Sequence, residues 1–598
     1  MPPSAPDEPE VHPRPLLARP GWQSLDGPWA FAYDDDDRGL AAHWYARDER
    51  DPFTRTIVVP FPPESAASGI GDTGYHPVVW YRRALHVERS PGRRVLLHLG
   101  AVDHDASVWV DGQHVGDHHG GYTAFALDVT DALAPGAEHE LVVRAHDDPH
   151  DPTVPRGKQD WELEPHDVWY HRSTGIWRTV WWEEVPEQHV TDLHWSVSLT
   201  DATVTAHVEL ARPPAAGTTV SVRLRHGGTV LATVGVAAGD RSVRVVAALP
   251  ALAHGQARAA YLWSPEHPEL VDAAVAVERD GTTVDTVTSY VGVRTVGTGD
   301  GRFLLNGHPY EVRAVLEQGY WPDSLYTPPS PGALRDEVEL VRSLGFNAAR
   351  VHQKVEDPRF LYWADRLGLL LWAEMPSPYR SSPAGAQRLL GEWLDAVQQQ
   401  RSHPSVVTWV PLNESWGVQD LADDDAQRAL ARALAEATRA LDPSRPVLSN
   451  DGWEHQCSDI VGLHDYEGDA AVLARRYADD EAVARLLEGV GPARRPVFVG
   501  GARHRGQPVM VTEFGGIAFQ PRDARADGWG YTSAHDADEW VRAVTALCDA
   551  LRASTALAGT CYTQLTDTRQ ETNGLCTADR RPKAPLEAIR RAVTGETR

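Results

Sequence analysis

Residues 408–417 read TWVPLNESWG, and the apolar run Val406, Val407, Trp409 and Val410 leads straight into an amide, Asn413, and a carboxylate, Glu414. A short continuous apolar run is the mark of a strand buried on both faces, as in a parallel sheet. A polar pair at its end has two readings: a strand that stops in solvent, or one that delivers chemical groups to a site. The neighbouring sequence separates them. YEVRAVL, FNAARV, LLLWAEM, VVTWVPLN, VLSND, IVGLHDY, VMVTEF and GTCYTQL are eight such stretches in the second half of the chain, with helical or irregular segments between most of them. One of these, DEVELVRSLG, carries Val338, Val341 and Leu344 on one helical face and stops on Gly345. Eight strands alternating with helices predict a (β/α)8 TIM barrel, whose functional groups lie at the C-terminal ends of the strands.

Those ends carry Glu317, His352, Glu374, Asn413 with Glu414, Asn450 with Asp451, His464 with Asp465, Glu513, and Gln564 with Asp567. Any one of them has a purely structural reading, but a polar group at all eight ends is more than solvation requires. Upstream the texture is all β. RRVLLHLG, ASVWVDGQHVGD, ELVVRAHDD and RTVWWEEV alternate with turn clusters, and Asp111-Gly112 is a hairpin signal. VTAHVEL, VSVRLRH and SVRVVAALP follow at the spacing of an immunoglobulin-like sandwich. The expected architecture is multidomain β plus α/β: a jelly-roll-like β-sandwich over 1–187, an immunoglobulin-like β-sandwich over 188–297 and the barrel over 298–598.

A chain of 598 residues with a formal charge of -27 disfavours nucleic acid and anionic membranes, because like charge repels over most of the surface. Four cysteines, at 457, 548, 561 and 576, show no metal-ligand spacing and read as reduced thiols. No signal peptide and no apolar run long enough to cross a bilayer is visible, so the expected location is cytoplasmic. The acidic clusters at 34–37 and 146–151 read as solvated loops, and Trp181 and Trp182 as sandwich core. The sequence leaves room for a homo-oligomer.

Hydrolysis of a glycosidic bond needs one protonated and one ionised carboxyl group flanking the bond. Glu414 and Glu513 end strands that face each other across a closed eight-stranded barrel. A gap of about 5–5.5 Å makes such an enzyme retaining and about 6.5–9.5 Å inverting. Asn413-Glu414 and the Glu513 of VMVTEFGG resemble glycoside hydrolase family 2, the group of β-galactosidases, β-glucuronidases and β-mannosidases. RPGWQSLDGPWAF, DASVWVDGQHVGDHHGGYTAFALDVTDAL, STGIWRTVWWE and FLLNGHPYEVRAV resemble further segments of that family, over nearly the whole chain.

The resemblance implies that Glu414 is the acid/base and Glu513 the nucleophile of a retaining mechanism, with Asn413 on the sugar's 2-hydroxyl. It implies an active-site role for His352, a sugar platform at Tyr562 where relatives carry a tryptophan, and a reach of Asp167 and Trp169 from the first domain to the barrel mouth. Glu374, Asn450, His464, Asp465, Gln564 and Glu571 complete the expected substrate-binding set. No cofactor and no metal is expected in bond cleavage. The partner expected is a carbohydrate, cut as a terminal β-linked sugar.

After the eighth strand, TRQETNGLCTADRRPK places Glu571 and Asn573 where β-glucuronidases carry an Asn-x-Lys motif. A carboxylate there favours a neutral sugar of galactoside type, pyranose or furanose, unless Lys354 or Arg569 offsets its charge. β-Glucuronidase and β-mannosidase activity are the alternatives within the family. Outside it stand a non-catalytic carbohydrate-binding protein and a metal-dependent barrel hydrolase built on His352, Glu374 and His464.

Overall fold

Period-two alternation of apolar and polar residues gives antiparallel strands through the first half of the computed structural model, which describes residues 11–46, 52–88, 90–520 and 528–596. A six-stranded sheet runs in the order Arg55–Val59, Gly27–Tyr33, Val78–His86, Glu138–His146, Asp105–Val110, Gln113–His119. It packs on a four-stranded sheet of Gln23–Ser24, Val180–Pro186, Arg93–Leu99 and Phe125–Asp128. Phe31, Tyr81, Leu97, Val108 and Val143 fill the space between them. The Asp111-Gly112 hairpin forms as expected, both residues at positive φ, 49° and 77°. Trp181 and Trp182 are buried. Asp34, expected in a solvated loop, is instead buried and accepts from the backbone N–H groups of Arg38 and Gly39 and from Trp80 Nε1.

A second sandwich follows. Val190–Ser198, Thr203–Leu210 and Ser242–Ala248 form one sheet; Thr229–Ala237, Thr218–His226, Val271–Arg279 and Thr282–Val291 form the other. Val204, Val220, Val245 and Val275 lie in its core.

Among the described residues the barrel has seven parallel ladder strands in the order Val406–Val410, Leu370–Glu374, Ala348–Val351, Val312–Glu317, Leu557–Thr563, Val509–Gly515, Val461–Asp465. VLSND, expected as a full strand, contributes only two parallel bridges, Trp409 to Val447 and Asn413 to Asp451. The reason is local: the Ser449 N–H donates to Ser458 Oγ and the Val447 carbonyl accepts from Asp459 N–H, so a turn occupies the positions a neighbouring strand would need. Leu316, Ala348, Trp372, Val407 and Met510 fill the barrel interior. Helix Pro331–Ser343, capped by Ser330, lays Val338 and Val341 against the outside of the sheet, and Gly345 takes a positive φ of 97° just beyond it.

The first sandwich is clamped onto the barrel mouth. Tyr122 N–H donates to Glu392 at 2.7 Å, Arg388 pairs with Asp151 at 2.6 Å, and Arg178 donates to the Val355 carbonyl. All four cysteines are free thiols. No helix among the described residues is long and apolar enough to cross a membrane.

Candidate active site

Strand Ala348–Val351 alternates, and the alternation turns Arg350 into the barrel. A fully buried guanidinium needs partners on every donor edge, and Arg350 has them. Its Nε donates to Glu374 at 2.8 Å and lies 3.1 Å from Asp451; Nη1 donates to Glu513 at 2.6 Å and Nη2 to Asn413 at 2.7 Å. Three strand ends and the bridging segment are thereby fixed to one planar cation. Asp451 is held in addition by the Thr512 hydroxyl at 2.6 Å.

Glu414 approaches from the opposite wall. Glu414 and Ser415 both take positive φ, 50° and 55°, a conformation that costs about 1–3 kcal/mol for each residue that is not glycine. The surroundings hold it in place. Glu414 N–H donates to the Asp451 carbonyl, Ser415 N–H to Asn450 Oδ1 at 2.9 Å, and Ser415 Oγ to Glu454 at 2.5 Å. The Glu414 carboxylate meets His464 Nδ1 at 2.7 Å, while His464 Nε2 lies 3.4 Å from Glu513 and 3.7 Å from Asp451. Oxygens of Glu414 and Glu513 lie within 4.8 Å of one another. The Glu414 side chain is 23% exposed and that of Glu513 7%, so the first faces solvent and the second lies deeper.

The charges follow from this packing. Burial pushes the Glu513 carboxyl up, but His464 and Arg350 outweigh it and hold the group below its ordinary value. Burial pulls His464 down, and Glu513, Asp451 and Glu414 together raise it to about 10. Glu374 is raised to about 7, chiefly by burial and by its anionic neighbours Asp451 and Glu513 against the pull of Arg350. Tyr466, two residues beyond His464, donates its hydroxyl to the second oxygen of Glu513.

The structure therefore gathers Glu414, Glu513, Asn413, Glu374 and His464. His352 joins them, its Nδ1 3.0 Å from Glu374. Gln564 and Glu571 form an adjoining buried group: Gln564 Nε2 donates to Glu571 and to the Asn573 side-chain oxygen, both at 2.7 Å, and Gln318 donates to Gln564 at 2.8 Å.

Four expected residues are placed differently. Tyr562 follows inward-facing Cys561, so alternation turns its ring to the helix side, where it packs edge-on to Phe514 at 5.4 Å; it is core and not a sugar platform. Both ends of the Asn450 amide are engaged by the Ser415 turn and the Glu454 carbonyl. Asp465 accepts from Arg476 and Tyr477, anchoring the following helix Ala470–Arg476. Asp167 reaches the barrel through its carbonyl, which accepts from Trp529 and Gln570, while its side chain is exposed. Trp169 stands at the mouth, 5.3 Å from Trp416, two residues after Glu414. Among the described residues, the His and carboxylate ligand atoms that converge are those of Glu414, His464 and Glu513, not the set of His352, Glu374 and His464 that the metal-hydrolase alternative needs.

Arg350 and Tyr466 were not among the residues expected from sequence. A lone arginine inside the apolar strand FNAARV was a legible signal, since a buried cation demands anionic partners. Lys158 also went unread. It lies in PRGKQD, where Gly157 N–H donates to the Ser377 carbonyl and the backbone takes a positive φ of 58° against Gln353.

Comparison with known proteins agrees with this architecture. Residues 22–186 match the family model described as glycosyl hydrolases family 2, sugar binding domain; 188–294 match glycosyl hydrolases family 2, and 330–595 its TIM barrel domain. A β-galactosidase of Thermoanaerobacter pseudethanolicus is 28% identical over 62% of this chain and 48% of its own. A β-glucuronidase of Paenibacillus borealis is 26% identical over 83% of both chains. The chain spans about half the length of the first curated relatives it matches. Among solved structures, a β-glucuronidase from an uncultured Clostridium species superposes with a TM-score of 0.76 at 19% identity, covering 97% of this chain and 99% of that one. With three consecutive domain models matched in order, the chain belongs to glycoside hydrolase family 2.

Proposed function

We propose that the protein is a retaining exo-β-glycosidase that releases the terminal sugar of a β-linked glycoside by double displacement. The observation that carries this reading is the gap between Glu414 and Glu513, whose oxygens approach within 4.8 Å. That spacing suits a nucleophile and an acid on opposite faces of one bond and leaves too little room for the water of an inverting mechanism. Glu513 attacks the anomeric carbon as Glu414 gives its proton to the leaving oxygen, so one C–O bond breaks as another forms. A water then attacks the glycosyl ester, Glu414 takes its proton, and Glu513 is released. Arg350 and Tyr466, one on each oxygen of Glu513, aim the carboxylate and keep it anionic. Asn413, fixed by Arg350, offers its amide N–H to the 2-hydroxyl.

The neutral-sugar expectation rested on the charge of Glu571. Burial raises that carboxyl above its ordinary value, with Lys158 the main opposing influence, which weakens the like-charge barrier to an acidic sugar. Galactoside and glucuronide readings therefore stand level on the charge of Glu571, while the similar curated proteins are mainly named β-glucuronidases beside one β-galactosidase. The test is a panel of nitrophenyl β-glycosides followed by trapping with the 2-deoxy-2-fluoro form of the best substrate. A stoichiometric mass increase on the peptide bearing Glu513 is expected; label on another residue, or none with an active enzyme, contradicts the reading.

A further inference from the structure

Lys158 is 8% exposed, yet among the described residues its side chain makes no ion pair and donates to no protein acceptor. Buried lysines are ordinarily paired, because an unpaired charge removed from water is costly. The other cations near this end of the barrel differ. Lys354 is committed to Glu356 at 2.8 Å and to the Gly319 and Tyr326 carbonyls, and Arg569 is exposed.

The backbone leaves Lys158 no freedom to retreat. Gly157 is pressed so closely on the Gln353 carbonyl that a Cβ would meet it at 2.6 Å. The Gln159 amide is tied to Asp103 at 2.7 Å and to Tyr122, and the Lys158 carbonyl accepts from Tyr170 N–H. The Lys158 ammonium lies 5.9 Å from the centre of the Tyr170 ring. Its charge joins burial and Arg350 in lowering His352, and it opposes the burial that raises Glu571. Gly157 packs on Gln353, the residue after His352, and its N–H donates to the Ser377 carbonyl beyond the next strand, so the segment carrying Lys158 lies at the strand ends that form the barrel mouth.

We propose that Lys158, carried into the barrel by the first domain, is a specificity residue that binds a carboxylate on the terminal sugar ring, making a uronide the substrate class. The charge it needs is then supplied by the ligand. Glu571, whose carboxylate accepts from Gln564 and Asn573, borders the same group. This rests on the glycosidase reading of the Glu414–Glu513 pair and commits it to an acidic sugar.

The test compares wild type with Lys158→Met and Lys158→Arg, each checked for an unchanged thermal transition. kcat/KM is measured on matched nitrophenyl β-glucuronide, β-galacturonide, β-glucoside and β-galactoside, and binding of free glucuronate, galacturonate and glucose by calorimetry. The expected result is wild-type preference for one uronide, a fall of about a hundredfold or more in its uronide-to-neutral ratio in Lys158→Met, and partial recovery in Lys158→Arg. An equal loss on both substrate classes, wild-type preference for neutral sugars, or binding of both uronates no tighter than of glucose overturns the proposal. Uronate binding that depends on Lys158 in a protein that cleaves no glycoside upholds the proposal and contradicts the glycosidase reading instead.

Discussion

Glu414 and Glu513 share a histidine but sit in different surroundings, and the difference predicts how each fails. Glu513→Ala removes the attacking group, so turnover falls roughly ten-thousandfold, and azide restores reaction to give an α-glycosyl azide. Glu414→Ala spares substrates with good leaving groups, and azide yields the β-glycosyl azide. Equal loss on activated and unactivated substrates, without rescue, counts against the assignment of Glu414. His464 makes a prediction of its own. Its charge is favoured in the folded state, with a pKa raised from 6.5 to about 10, so the stability it contributes is complete below pH 6.5 and lost as pH rises towards 10. The thermal transition of His464→Gln should lie furthest below wild type at mildly acidic pH, and the gap should close towards pH 10. A gap that does not change with pH contradicts the charged state assigned to His464.

The turn after strand Val406–Val410 holds two consecutive left-handed residues tied down by Asn450 and Glu454. Asn450→Ala leaves Ser415 N–H and Oγ short of a partner, at a cost of about 1–3 kcal/mol. It should also let Glu414 drift. Calorimetry should record the loss of stability, and kcat should fall more for poor leaving groups than for good ones; equal falls mean that the turn does not position Glu414. The strand itself was legible as an apolar run ending on a polar pair. Its left-handed exit was not, because no glycine or asparagine marks positions 414 and 415. The same limit explains Tyr562: GTCYTQ identifies a strand, but only the register of the closed barrel says that Cys561 points in and Tyr562 out. VLSND misled in the opposite direction, since Ser458 and Asp459 satisfy from the side what a ladder would have satisfied.

The three-part architecture was readable because two sandwiches alternate with period two and the barrel with strand and helix in turn. Contacts between distant segments were not readable, and they complete the site. Lys158 and Glu571 lie in the first and third domains with the whole second sandwich between them in the chain, and nothing in PRGKQD alone announces an unpaired cation. Trp169 of the first domain, packed on Trp416 beside Glu414, favours a pocket over an open cleft. A defined oligosaccharide should then release monosaccharide from the first time point; early mid-length fragments would contradict a pocket. The proposed reaction needs a nucleophile and an acid acting on opposite faces of one bond. Proton NMR of the first sugar released from the best nitrophenyl β-glycoside, recorded before mutarotation, reads that directly. The β-anomer appearing first is the predicted result, and the α-anomer appearing first would contradict it.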